Sequence, residues 1–148
     1  MSPSLAVIVE NLETGIALPD IPGCIALMKL GLAVSVVGKL PWLNEIPVVY
    51  WGDLDTHGFV ILERAREVLP QLTSILMDVE TIVSYLSLAG TDPKQHPKIE
   101  LAHLKPTERA VYDGLYADTW GTKLRIEQER LPWLVAMTKL YEQLCSTE

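Results

Sequence analysis

Cysteine is scarce. The two that exist, Cys24 and Cys145, lie far apart with no Cys-x-x-Cys, so neither a disulfide framework nor a zinc site is expected. Positive charge is scarce as well. Twelve Lys and Arg face nineteen Asp and Glu, a formal net charge of -7, which excludes a broad basic surface able to hold nucleic acid by itself. Any nucleic-acid contact is then expected to be local, bridged by a metal, or supplied by another chain. The start carries no basic segment leading into an apolar one, and the longest apolar runs fall well short of a membrane span. A soluble, cytoplasmic protein without membrane contact is the expectation. Repeats, low-complexity tracts and linkers are also missing. What is present is 148 residues, 49% hydrophobic and 21% charged, enough for one globular domain over residues 1–148 with a proper core.

Leu5-Ala6-Val7-Ile8-Val9 is continuously apolar, the pattern of a strand covered on both faces as in a parallel sheet. Asn11 can cap a short helix running to about Leu18, which Pro19-Asp20-Ile21-Pro22-Gly23 stops. Cys24 to Met28 reads as a second strand, Leu32 to Val37 as a helix despite its β-branched residues, and Val48 to Trp51 as a third strand after a loop bracketed by Pro41 and Pro47. Ile61, Ala65, Val68 and Leu69 then recur at helical steps, with Glu63, Arg64, Arg66 and Glu67 on the other side. Ser74 to Met77 suggests a fourth strand, and Asp78 a cap for a helix with Ile82, Val83 and Leu86 inward. Strands alternating with helices indicate an α/β layer fold.

The pattern lapses between Gly90 and Pro106, a stretch expected to be a surface connection with His96 and His103 as solvated loop residues. Thr107 is expected to cap a helix with Ala110, Val111 and Leu115 inward and Tyr112 and Tyr116 packed four apart. Pro132 suits the first turn of a last helix carrying Leu134, Thr138, Tyr141 and Leu144. The expected core covers about 4–90 and a C-terminal helical extension about 106–146.

The chemistry gathers where the third strand ends. Val48-Val49-Tyr50-Trp51-Gly52-Asp53-Leu54-Asp55-Thr56-His57-Gly58 is an apolar run closed by two aspartates one residue apart, which an extended backbone can put on one side. Such a pair is costly without neutralisation, and a divalent cation with oxygen ligands is the usual solution. The structural alternative is that Asp55 caps the following helix and Asp53 is a turn residue. Ligands of open parallel sheets sit beyond the carboxyl ends of the strands. Glu10, at the end of the first strand, is therefore placed to converge with Asp53 and Asp55 as hard oxygen ligands for Mg²⁺ or Mn²⁺. Glu13 either joins them or favours its helix N-terminus through the dipole.

Val9-Glu10-Asn11-Leu12-Glu13-Thr14, Tyr50-Trp51-Gly52-Asp53-Leu54-Asp55-Thr56-His57-Gly58-Phe59 and Leu124-Arg125-Ile126-Glu127-Gln128-Glu129-Arg130 resemble, in order, signatures of the Toprim domain at the C-terminal end of JetD, the nuclease subunit of Wadjet plasmid-defence systems. The resemblance implies a Toprim-like, Rossmann-like four-stranded parallel sheet flanked by helices, with extra C-terminal helices, related to the A subunit of topoisomerase VI and to meiotic break-forming proteins. It implies Mg²⁺-dependent cleavage of double-stranded DNA by phosphodiester hydrolysis, with Glu10 as the Toprim glutamate and Asp53 and Asp55 as the metal-binding pair. His57 lies within the second signature; it either orients a phosphate or water or hydrogen-bonds a backbone group at the turn. Glu127 and Glu129 either stand behind the metal ligands or form a surface ion-pair cluster with Arg125 and Arg130. Full-length relatives carry a winged-helix-like domain and further DNA-holding segments ahead of this part. DNA contact is accordingly expected through a missing domain or a partner, an SMC-like motor complex by resemblance, with room for a homodimer.

Three other readings are weighed against this. Aspartyl phosphatases also use Asp-x-Asp, but on the first strand and with a threonine where His57 stands. A phospho-acceptor receiver needs a lysine at a later strand end, and Met77-Asp78 offers none. The remaining rival is a Toprim-shaped module that docks a partner without catalysis.

Overall fold

Residues Leu5–Val9 form β1, and all five are buried, because the strand has a neighbour on each side and layers above and below. Residues 3–146 are described by a computed structural model. Asn11 accepts a hydrogen bond from the Thr14 amide at 2.8 Å and so opens α1 (Leu12–Ala17). The chain then returns as β2 (Cys24–Met28), passes through two 3₁₀ segments (Gly31–Lys39 and Pro41–Glu45), and enters β3 (Val48–Trp51), again wholly buried. Asp55 opens α2 (Thr56–Val68), which leads to the short β4 (Thr73–Ser74).

These four strands make one parallel sheet in the order β2-β1-β3-β4, flanked by helices. The α/β Toprim-like architecture expected from the sequence is thus the observed one. The order matters for function. From β1 the chain moves to one side of the sheet to make β2 and then to the other to make β3 and β4. The carboxyl ends of β1 and β3 are therefore neighbours at the reversal point, with Val9 opposite Trp51, where such sheets leave a crevice.

The rest of the chain closes around this edge. After α3 (Val79–Ser84) come β5 (Gly90–Thr91), α4 (Pro106–Tyr116), β6 (Leu124–Arg125) and α5 (Trp133–Cys145). The two short strands pair antiparallel, Gly90 with Arg125 and Thr91 with Leu124. An antiparallel bridge between Leu54 and Ile126 then ties this ribbon to the segment carrying the aspartates. On the far side Arg66 of α2 and Glu108 of α4 form a buried two-pronged ion pair, at 2.5 and 2.8 Å.

Several local expectations need correction. The segment around Leu32 to Val37 is 3₁₀ and not α-helical; its valines crowd a regular α-helical turn. Ile75, Leu76 and Met77 are buried but lie outside β4, since the chain turns away at Leu76, whose φ is 58°. Of the expected inner face after Asp78 only Ile82 is buried; Val83 is exposed, and Leu86, also exposed, lies beyond the end of α3. Thr107 does not cap α4 but lies inside it: the helix starts at Pro106 with Lys105 at the cap position, whose amide donates to Glu108. Ala110 is exposed. In α5 the buried face is Ala136, Met137 and Leu140, not Leu134 and Tyr141. The stretch after Gly90 is no plain surface loop, because Asp92, Leu101 and Leu104 are buried in it.

Candidate metal centre

Glycine is required at two points where the strand ends crowd together. A Cβ at Gly52 would collide with the Tyr50 hydroxyl and the Glu10 carboxylate, and one at Gly58 with the Asp53 carbonyl. These two positions let the first turn of α2 fold back against the aspartate segment. In the resulting crevice Glu10, Asp53 and Asp55 lie close enough for the charges of both aspartates to act on Glu10.

Each acid has protein partners that fix it. Asp55 Oδ1 accepts from the Gly58 amide at 2.8 Å, the helix cap that the structural alternative anticipates. Asp53 Oδ1 accepts from the Gln128 amide at 2.7 Å. Glu10 meets the Tyr50 hydroxyl, which also lies 3.0 Å from the Gly58 carbonyl. A hydroxyl has one proton. If Tyr50 gives it to Gly58, the Glu10 contact calls for a proton on Glu10. The electrostatics agree: burial, strengthened by the charges of Asp53 and Asp55, lifts Glu10 to about 8 against the lowering pull of the Tyr50 bond and Arg125. Burial likewise lifts Asp53 to about 6, although the Gln128 amide pulls the other way. Asp55 is raised by burial too, opposed by the Gly58 amide and Arg125.

One cation answers this negative charge. Arg125, delivered by β6, stands 3.3 Å from Asp55 Oδ2, 3.7 Å from Asp53 Oδ2 and 3.3 Å from Glu127. Burial by itself would lower its pKa, but Asp55, Asp53 and Glu127 more than compensate and raise it. These separations exceed those of charge-assisted hydrogen bonds, about 2.7–2.9 Å, and the buried Nε makes no hydrogen bond. Arg125 thus neutralises the aspartates without being locked to them. Oδ1 of each aspartate is held by an amide while Oδ2 faces a loosely seated guanidinium, and carboxylate oxygens are the ligand type that a hard divalent cation takes.

Among the described residues the group whose ligand atoms converge is a different one, and it leaves out Glu10 and Asp53. Asp55, His57 and Asp92 each offer a ligand atom, and these atoms lie within 4.8 Å of one another, so the group could hold a metal ion. His57, on the first turn of α2, is half-buried with its ring edge-on to His96 at 5.4 Å. His96 is accordingly part of the site's wall, its amide donating to Thr56 at 2.8 Å, whereas His103 lies away from it against Glu63 at 2.7 Å.

The other acids lie further out. Glu13 and Glu129 are exposed and border a groove with Trp51 and Trp133. Glu127 pairs with Arg125 and, at 3.5 Å, with Arg130. Arg125, Arg130 and Glu127 line a cleft of about 190 Å³ on the ribbon side.

Two residues were not singled out by the sequence. Asp92 sits in the stretch where periodicity lapses. Gln128, 1% exposed, accepts from the Asn11 amide at 3.1 Å and donates to the Trp51 carbonyl at 2.9 Å, while its own amide holds Asp53. It thereby ties the ends of β1 and β3 together. A neutral amide amid the charges of Arg125 to Arg130 was the available signal.

No curated protein matches the chain. The family described as Wadjet protein JetD, C-terminal, matches over residues 1–140, a span that takes in the glutamate, both aspartates and the Arg125–Arg130 stretch. The chain belongs to the JetD C-terminal family of Wadjet proteins.

Proposed function

We propose that this chain is the metal-dependent DNA-cleaving domain of a Wadjet assembly, acting by phosphodiester hydrolysis. The observation that carries the reading is the set of three carboxylates at the sheet's reversal point, Asp55 buried and Glu10 and Asp53 half-buried, with Arg125 the cation that pairs with the two aspartates among the described residues. Carboxylates so arranged, two of them lifted to about 8 and about 6, are poor neighbours for one another unless a cation joins them. Glu10, Asp53 and Asp55 would hold Mg²⁺ or Mn²⁺. Bound there, the ion supplies charge to a phosphate oxygen and to the leaving oxygen.

The chain's own residues do the rest. Gln128 and Gly58 fix Asp53 and Asp55 through their amides, so the ligand oxygens are aimed before any ion arrives. Tyr50 keeps Glu10 pointed into the crevice. Arg125 and Arg130 border a cleft beside the acids, suited to meeting the phosphodiester backbone with positive charge. Double-stranded DNA, the SMC-like partner complex and a homodimer belong to this proposal as expectations drawn from the family. So does the division into a core of about 4–90 and an extension of about 106–146. With a net charge of -7, the chain holds DNA weakly by itself, and its unaided activity is expected to be slow.

The test is nicking of supercoiled plasmid at low ionic strength with Mn²⁺. Slow nicking by the wild-type chain, abolished by EDTA and by Asp53→Ala, supports the reading. A metal-binding chain that never nicks DNA contradicts it and leaves a docking platform in its place.

A further inference from the structure

Asp92 is a buried acid outside the three-carboxylate set and, unlike Glu108, has no ion-pair partner among the described residues. It is only 4% exposed and is held rigidly: its amide donates to the Lys123 carbonyl at 2.7 Å, and its Oδ1 accepts from the Lys94 amide at 2.9 Å. The other oxygen, Oδ2, is buried with no hydrogen-bond partner among the described residues. A fixed carboxylate oxygen withdrawn from water and left without a donor is rare, and an unseen cation is one of its standard explanations. Asp92 lies within reach of Asp55 and His57, with one ligand atom from each inside 4.8 Å.

The placement comes from long-range structure. The β5–β6 ribbon pairs Thr91 with Leu124, and the bridge of Ile126 to Leu54 seats that ribbon on the aspartate segment. Asp92 follows β5 directly, and so is carried to Asp55. His57 arrives from the other side on the first turn of α2, its ring oriented by the edge-on contact with His96.

We propose that Asp55, His57 and Asp92 form a second divalent-cation position, separate from the one bounded by Glu10 and Asp53 and sharing only Asp55 with it. An imidazole together with carboxylates suits an ion that accepts nitrogen, such as Mn²⁺ or Co²⁺, better than Mg²⁺. Three protein ligands leave open coordination positions for water or a phosphate oxygen. The second position shares a residue with the site of the proposed function but stands without it.

Calorimetric titration of the full chain with Mn²⁺ reads both positions, and far-UV circular dichroism checks that each variant is folded. Two ions per chain are expected, with Asp92→Asn and His57→Gln each losing one while Glu10→Gln loses the other. A single ion lost in Asp92→Asn and retained in Glu10→Gln also supports this position, while counting against the Glu10 ligand set. Wild-type stoichiometry and affinity in both Asp92→Asn and His57→Gln overturn it. A measurement on the unmodified protein guards against misfolded variants: substoichiometric Mn²⁺ should broaden the His57 ring proton signals beyond those of His103. Equal broadening of the two rings overturns the proposal as well.

Discussion

The Tyr50 hydroxyl touches the Glu10 carboxyl across the junction of two parallel strands, and the same hydroxyl reaches the Gly58 carbonyl at 3.0 Å. With one phenolic proton between two acceptors, the arrangement is satisfied when Glu10 is itself protonated, in line with its pKa near 8. Glu10, lifted to about 8 by burial, is therefore the acid of the metal-free crevice that keeps its proton at neutral pH, and several measurable properties depend on that.

In EDTA, stability should fall as pH rises. Glu10 titrates near 4.5 when unfolded and near 8 when folded, Asp53 near 3.8 and near 6. Between those values the folded state holds more protons than the unfolded one, so the favourable contribution is complete at low pH, is lost as pH climbs, and levels off above about pH 8. Glu10→Gln keeps the shape and removes the ionisation. At pH 8 it should stabilise the apo protein by at least about 1.4 kcal/mol, the worth of one pKa unit, and flatten the dependence. Urea unfolding of both proteins from pH 5 to pH 8.5 measures this; parallel curves would contradict it.

Glu108 acts with the opposite sign. Burial would raise its pKa, but the Arg66 bonds outweigh that and hold it below the usual carboxylate range. Its contribution is present above the unfolded pKa and is lost as pH falls through the folded one. Glu108→Ala strands a buried guanidinium and should cost roughly 3–5 kcal/mol. Metal affinity should stay unchanged in this variant, since the pair lies between α2 and α4.

Gln128→Ala should cost about 2–4 kcal/mol, because it leaves the Asn11 amide and the Trp51 carbonyl without partners in a buried setting. Gln128→Glu should do no better. It replaces the donor to Trp51 with another acceptor and adds a charge beside Asp53. Denaturant midpoints of the two variants check this, and a loss below 1 kcal/mol for Gln128→Ala would remove its role as the tie between β1 and β3.

Arg125 competes with any cation bound by Asp53 and Asp55. Arg125→Gln should lower apo stability at pH 8 and tighten Mn²⁺ binding by about tenfold, the equivalent of about 1.4 kcal/mol. Calorimetry shows which. Weaker binding in the variant would mean that Arg125 supports the site and does not substitute for the ion.

The strand ends were legible because β1 and β3 are uninterrupted apolar runs stopped by acids, and those acids fall where a parallel sheet presents them. Ile75 to Met77 misled for the same reason, since burial of an apolar run does not distinguish a strand from a chain that turns away at Leu76. In α5 the apolar residues occupy more than one side, so spacing alone chose Leu134 and Tyr141 over Ala136 and Leu140. Asp92 could not be read at all. Its place depends on pairing two-residue strands separated by over thirty positions, and such short strands have no periodicity to detect. Gln128 was hidden in another way, as its partners Asn11 and Trp51 lie 117 and 77 residues away.

The central claim is that the acids at the reversal point of the sheet form a metal centre, and Mn²⁺ calorimetry at pH 7 in two buffers of different ionisation enthalpy tests it most directly. An ion taking Glu10 as ligand must displace its proton. The account predicts binding by the wild-type chain with release of about one proton, the value for a group lifted to about 8, and loss of that binding step in Asp53→Ala. Indistinguishable isotherms for wild type and Asp53→Ala, in either buffer, would contradict it.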